Sequence, residues 1–386
     1  MGRTSQATRQ PRPVTFPLQL LIPLPSTDPT SYAFPIGGVV FATSCTNRRA
    51  IILGQACPVT NQAGENYGRF LFEVNRRFEQ WNGEGTAMFD GFSQVVIDIQ
   101  GIAINVVHGG NGPPILLLHG YPQTHVMWHK LASALADSYT VVAPDLRGYG
   151  DSGKPDANGD DNVYCKRSTA ADQVQVMLQL GHELFHVIGH DRGARVGHRM
   201  ALDSPIRVKT FTSLDVAPSQ AAFDSMDSDL SFAWFHWHLM RQPEPLPERL
   251  IGSNAKFYLD FLLDRWTARE GSITEEAYSE YLRCFSDPAT IKASCADYRA
   301  ISLDLEHDEI DRGRRLDCPV LALWGSDMRK RPGWQTGRGL DMLQVWRDRA
   351  TNVVGGPIDC GHFLAEEAPE EVLREILPFL STNASN

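Results

Sequence analysis

From residue 88 onward, short apolar runs alternate with stretches of helical period. Gln94–Ile99 and Ile102–Val107 flank Gly101 and predict a hairpin that opens a sheet. Pro114–Leu118, Thr140–Asp145, Phe185–Gly189, Val208–Asp215 and Val320–Gly325 are apolar runs too short for an ordinary helix, which predicts buried strands. Helix-compatible segments lie at 127–137 and 169–180, with a last one at Pro369–Leu377. Strands alternating with helices imply an α/β fold: a mainly parallel sheet flanked by helices on both faces.

The alternation stops between Asp215 and about residue 311. That segment carries Trp234, Phe235, Trp237, Tyr258, Phe261, Trp266, Tyr278, Tyr281 and Tyr298, and Pro243, Pro245 and Pro247 break it. It is expected to be a helical lid, 216–311, inserted into a core made of 88–215 and 312–386. Most of its aromatics should pack against one another, leaving a few for a ligand. Residues 1–87 show no sustained period and are expected to be a weakly ordered N-terminal extension; Pro17, Pro23 and Pro25 spoil the one apolar stretch that a transit helix would need.

Composition narrows the partners. The 386 residues are 42% hydrophobic with a net charge of −10, which disfavours nucleic acid and anionic membranes, since both attract basic surfaces. A small-molecule substrate is expected, and homodimerisation is left open. Seven cysteines, an odd number without Cys-x-x-Cys spacing, indicate neither a disulfide framework nor a zinc site and fit a reducing cytoplasm. No apolar run approaches the ~18 residues of a membrane span. No metal or cofactor is called for.

Three motifs carry chemistry. Gly189-His-Asp-Arg-Gly193 follows an apolar run and precedes a helix-compatible stretch, the form of a nucleophile elbow with Asp191 at its apex. Glycines two before and two after the nucleophile permit the tight turn. His119-Gly-Tyr-Pro122 follows another strand; a backbone N–H there, with that of Arg192, can form an oxyanion hole. His362, in Cys360-Gly-His-Phe-Leu364, comes late enough to complete the order nucleophile, acid, histidine. Two acids suit the middle role, Asp215 and Asp327, and spacing does not choose between them.

Together these residues resemble the haloacetate (fluoroacetate) dehalogenase family of the α/β-hydrolase superfamily. The matching segments are His119–Trp128, Asp145–Ser152, Gly189–Arg195, Ala201–Pro205, Phe235–Trp237, Asp297–Arg299 and Gly361–Leu364, all after residue 88. The resemblance implies an α/β-hydrolase core with an inserted helical cap. Asp191 would be the nucleophile, His362 the base and Asp215 its acid, with Tyr121 and Arg192 N–H groups as the oxyanion hole. It further implies that Arg192 and Arg195 bind the substrate carboxylate and that His236, Trp237 and Tyr298 bind the departing halide, with Trp266 at another family lid position. The activity implied is hydrolysis of a haloacetate to glycolate and halide through an aspartyl ester.

Electrostatics supports the arginine assignment. A haloacetate and an aspartate ~4 Å apart repel by roughly 4 kcal/mol at an effective dielectric of 20, which two guanidinium groups can cancel. Epoxide hydrolases share the elbow but need two lid tyrosines, Tyr298 with one of Tyr258, Tyr278 or Tyr281. Haloalkane dehalogenases take neutral substrates, and a non-catalytic small-acid binder would need no nucleophile. The first two leave the arginine pair without a task.

Overall fold

The structure is a computed structural model that describes residues 32–36, 39–43, 87–326 and 340–383. Within the N-terminal extension, β1 (Tyr32–Ile36) and β2 (Val39–Thr43) pair as an antiparallel hairpin, Tyr32 opposite Thr43. The rest of the expected extension up to residue 86 lies outside the described residues.

Eight further strands form one sheet: β3 (Ser93–Ile99), β4 (Ile102–Gly110), β5 (Pro114–Leu118), β6 (Thr140–Pro144), β7 (Phe185–His190), β8 (Val208–Leu214), β9 (Val320–Gly325) and β10 (Val353–Ile358). Their order is β10-β9-β8-β7-β5-β6-β4-β3. Pairings from β6 through β5, β7, β8 and β9 to β10 are parallel, and the hairpin β3–β4 adds antiparallel at one end. The central strands are covered on both faces: Ile115–Leu118, Val187 and Ile188 are wholly buried, each contributing about 1.5–3 kcal/mol of apolar transfer.

β10 was not anticipated. It contains Gly355-Gly356-Pro357 and is half solvated, so it lacks the apolar run of the buried strands. The C-terminal helix, Pro369–Thr382, also runs beyond the expected Leu377, through Pro378. The proline removes one internal hydrogen bond, while burial of Ile376 and Leu380 keeps the last turn packed.

Between β8 and β9 there are helices only, eight of them from Ser219–Asp224 to Ile301–Ile310. Side-chain caps set several starts: Asp227, Asn254, Thr274 and Asp287 each accept a backbone N–H from the first turn. This helical layer is tied to the core where the site forms. Trp266 O accepts from the His362 N–H at 2.9 Å, Glu367 accepts from the Ala268 and Arg269 N–H groups, and Tyr281 donates to Glu366 at 2.6 Å.

Candidate active site

β7 passes into the helix Arg192–Asp203 through a single residue, Asp191, whose backbone sits at φ 48°, ψ −117°. A non-glycine residue there is strained and is held by its surroundings. Its N–H donates to Leu214 O, and its carbonyl accepts from Ala194 and Arg195. Close approach makes the flanking glycines necessary. A Cβ on Gly189 would stand 2.6 Å from Ala194 Cα, and one on Gly193 would stand 2.2 Å from Leu118 O. A Cβ on Gly120 would lie 2.5 Å from Asp191 Cβ.

The Asp191 carboxylate is thereby presented at the carboxyl edge of the sheet. Its Oδ1 accepts from the Tyr121 N–H at 2.9 Å, and its Oδ2 lies 3.9 Å from His362 Nε2. Burial pushes the carboxyl up, but His362, His190 and the Tyr121 N–H outweigh it and hold Asp191 below the usual carboxylate value. The Arg192 N–H opens the helix and is one of its first-turn donors.

His362 Nδ1 meets Asp215 Oδ2 at 2.5 Å, and Asp215 Oδ1 accepts from the Gly325 N–H at 2.9 Å. Asp215 also has a positive φ, 60°, just past the end of β8. Asp327 lies outside the described residues. His190 received no role from the sequence, yet its Nε2 bonds the His362 carbonyl at 2.8 Å and its ring stands 4.5 Å from that of His362. Burial lowers its pKa to about 3, so it is a neutral donor that fixes the backbone of His362. His119 is likewise structural: it accepts the Leu146 N–H and donates to Gly120 O, anchoring the loop that carries Tyr121.

A small cavity of about 50 Å³ opens over this group. Asp191, Asp215, His362, Arg195, His236 and Trp237 line it, joined by Trp266 and Arg265. Burial lowers the His236 pKa to about 3, and its Nδ1 has no partner. The imidazole is therefore neutral and retains one N–H. Tyr298 is buried against Trp237, ring centroids 4.9 Å apart, and is not itself a lining residue.

The two arginines differ, which the sequence did not show. Arg195 is buried with Nε and Nη1 unpaired, and among the described residues no carboxylate forms an ion pair with it. Burial lowers its pKa to about 10 despite attraction from Asp191. Arg192 stands behind the lining, its Nε and Nη2 donating to Asp297 at 2.8 and 2.6 Å, and only its Nη1 is unpaired. The two residues expected to bind a carboxylate are thus placed differently: Arg195 faces the cavity, while Arg192 spends most of its fork on Asp297. The Trp237 ring lies 5.1 Å from both guanidinium carbons.

Among the described residues, Cys165, Asp304 and His307 bring possible metal-ligand atoms within 4.8 Å of one another. The Lys166 ammonium stands 3.8 Å from Asp304 Oδ2, a charge that opposes a cation there, and none of the three lines the cavity.

The family model for the alpha/beta hydrolase fold matches residues 113–369. A fluoroacetate dehalogenase from Burkholderia sp. is 40% identical over 302 residues, covering 76% of this chain and 95% of the relative. The chain belongs to the haloacetate dehalogenase family of the α/β hydrolases. Related enzymes of other name share the scaffold: a soluble epoxide hydrolase from Corynebacterium sp. (strain C12) is 32% identical, covering 73% of this chain and 95% of its own. A solved α/β-hydrolase structure from Nostoc sp. PCC 7120 is 50% identical at a TM-score of 0.73, covering 76% of this chain and 99% of its own. In this dehalogenase-family chain two of the candidate tyrosines are occupied elsewhere. Tyr278 bonds Asp260 and Lys256, Tyr281 bonds Glu366, and neither they nor Tyr258 line the cavity.

Proposed function

We propose that the protein hydrolyses small 2-halo carboxylates, haloacetates above all, through an ester on Asp191. The observation that carries this reading is a buried arginine, Arg195, with unpaired donors in the same small cavity as a carboxylate nucleophile. Leaving such donors unpaired is costly unless a ligand supplies acceptors. A substrate carboxylate does so, and Arg192 Nη1 offers a further buried donor.

Asp191 Oδ2 then attacks the carbon bearing the halogen, forming a C–O bond as the carbon–halogen bond breaks and the halide leaves with the electron pair. His236, Trp237 and Tyr298 supply N–H, indole N–H and phenol O–H to the halide, each worth about 1.5–3 kcal/mol for a charged acceptor. His362 Nε2 removes a proton from water, which adds to the ester carbonyl carbon of Asp191. Asp215 steadies the imidazolium through Nδ1–H. The oxyanion forms at Oδ1, where the Tyr121 N–H already points, with the Arg192 N–H beside it. Collapse releases the hydroxy acid and restores Asp191.

Incubation with chloroacetate, fluoroacetate and a styrene-type epoxide, following halide and diol, tests the reading. Halide with glycolate is expected; diol without halide would overturn it. Asp191→Asn should abolish turnover, and His362→Asn should trap the ester as a mass increase on the peptide containing Asp191.

A further inference from the structure

Arg192 reaches its position through a buried cluster assembled from both layers of the fold. Asp297, on the cap helix Pro288–Arg299, receives Arg192 Nε and Nη2 on its two carboxylate oxygens and Nη2 again on its carbonyl at 2.8 Å. The Tyr149 hydroxyl donates to the same carboxylate at 2.8 Å, and the Lys166 ammonium binds its Oδ1. Asp297, Lys166 and Arg192 are all at least nine-tenths buried.

Charge arithmetic gives this cluster a meaning. An Arg192–Asp297 pair alone is neutral and would offer a substrate anion a hydrogen bond but little field. Lys166 adds a second cation to the one carboxylate, so the trio carries one positive charge. Asp304 faces Lys166 as well, its Oδ2 3.8 Å from the ammonium and its Oδ1 on the Lys166 N–H. The ammonium is in direct contact with Asp297 and stands farther from Asp304, so its charge acts mainly on the Asp297 carboxylate.

We propose that Lys166 is a positioning residue that sets substrate affinity: by taking up the charge of Asp297, it leaves Arg192 oriented yet still electropositive toward the substrate carboxylate. The inference rests on the carboxylate-substrate reading above. Lys166 touches no reacting atom, so its effect falls on binding of the anion and not on the displacement step.

The test is Lys166→Met, which keeps the length and apolar stem of the side chain, with Lys166→Arg as the conservative variant. Loss of one unit charge, one carboxylate removed from Arg192, at an effective dielectric of ~20 predicts a KM for chloroacetate raised about tenfold, with kcat within about twofold. Lys166→Arg should return KM toward wild type. Thermal melts of each variant establish folding, and Lys166→Gln takes the place of Lys166→Met if the latter does not fold. A KM unchanged in the neutral variants, a fall confined to kcat, or no rescue by Lys166→Arg would overturn the proposal alone. A wild-type protein that releases no halide from chloroacetate would overturn it together with the reading on which it rests.

Discussion

Arg195 allows an unusual prediction, in which activity and stability move in opposite directions. The guanidinium is buried, its Nε and Nη1 are unpaired, and burial depresses its pKa from 12.5 to about 10. A depression of that size corresponds to about 3 kcal/mol paid by the folded state to keep the group charged. The sign follows from linkage. For a base whose folded pKa is lowered, the cost is complete below the folded value near 10 and is relieved only as the pH rises from there toward 12.5. At neutral pH it is present in full. Arg195→Met fills similar volume without the charge, so the variant should be more stable by up to about 3 kcal/mol, a Tm rise of roughly 5 °C for a domain of this size. It should also lose two charge-assisted hydrogen bonds to the substrate carboxylate, each worth about 1.5–3 kcal/mol, so kcat/KM for chloroacetate should fall at least about a hundredfold. Thermal unfolding and halide release measure the two quantities on one preparation. A variant that melts at or below the wild-type temperature, or that keeps its kcat/KM, would refute the reasoning.

Two further substitutions probe the supports of the site. Burial pushes the Glu366 carboxyl up to about 7, against the pull of the Tyr281 hydroxyl and Lys130. Its folded pKa lies above the ordinary 4.5, so the associated stability is whole below pH 4.5 and lost as the pH climbs through 7, reaching about 3 kcal/mol. Glu366→Gln should therefore gain Tm over wild type at pH 8 and not at pH 4.5; a gain independent of pH would contradict this. Gly120→Ala places a Cβ 2.5 Å from Asp191 Cβ and 2.8 Å from its Oδ1. Displacing the nucleophile by even ~1 Å should cost about a hundredfold in kcat, and steady-state kinetics showing wild-type kcat would sink that expectation.

What was legible in the sequence follows burial and local spacing. β5, β7, β8 and β9 announced themselves because strands covered on both faces must be apolar throughout, whereas β10, half solvated and carrying Gly355-Gly356-Pro357, left no such trace. The elbow was legible because Gly189 and Gly193 are steric requirements of one local turn. Spacing alone did not choose the partner of His362, because Asp215 and Asp327 both suit the end of a strand; the resemblance put it on Asp215, and the 2.5 Å contact belongs to Asp215. The Arg192–Asp297 pair spans 105 residues and joins the helix after β7 to one of the helices between β8 and β9, so no local pattern records it. Asp297 stood within a recognised segment, Asp297–Arg299, without a role attached.

The distinction between a dehalogenase and its epoxide-opening relatives therefore rests on where polar hydrogens are left over. Opening an epoxide needs paired phenol donors at the substrate oxygen, and here Tyr278 and Tyr281 are committed to Asp260 and Glu366, away from the cavity. Among the described residues, the cationic donors that the cavity leaves over are those of Arg195, with a buried Nη1 of Arg192 behind it. A neutral substrate would bury these donors further without satisfying them, whereas a carboxylate supplies up to four lone-pair sites and the missing negative charge together. Arg192 also helps to hold Asp191 ionised, behind the larger effects of His362, His190 and the Tyr121 N–H.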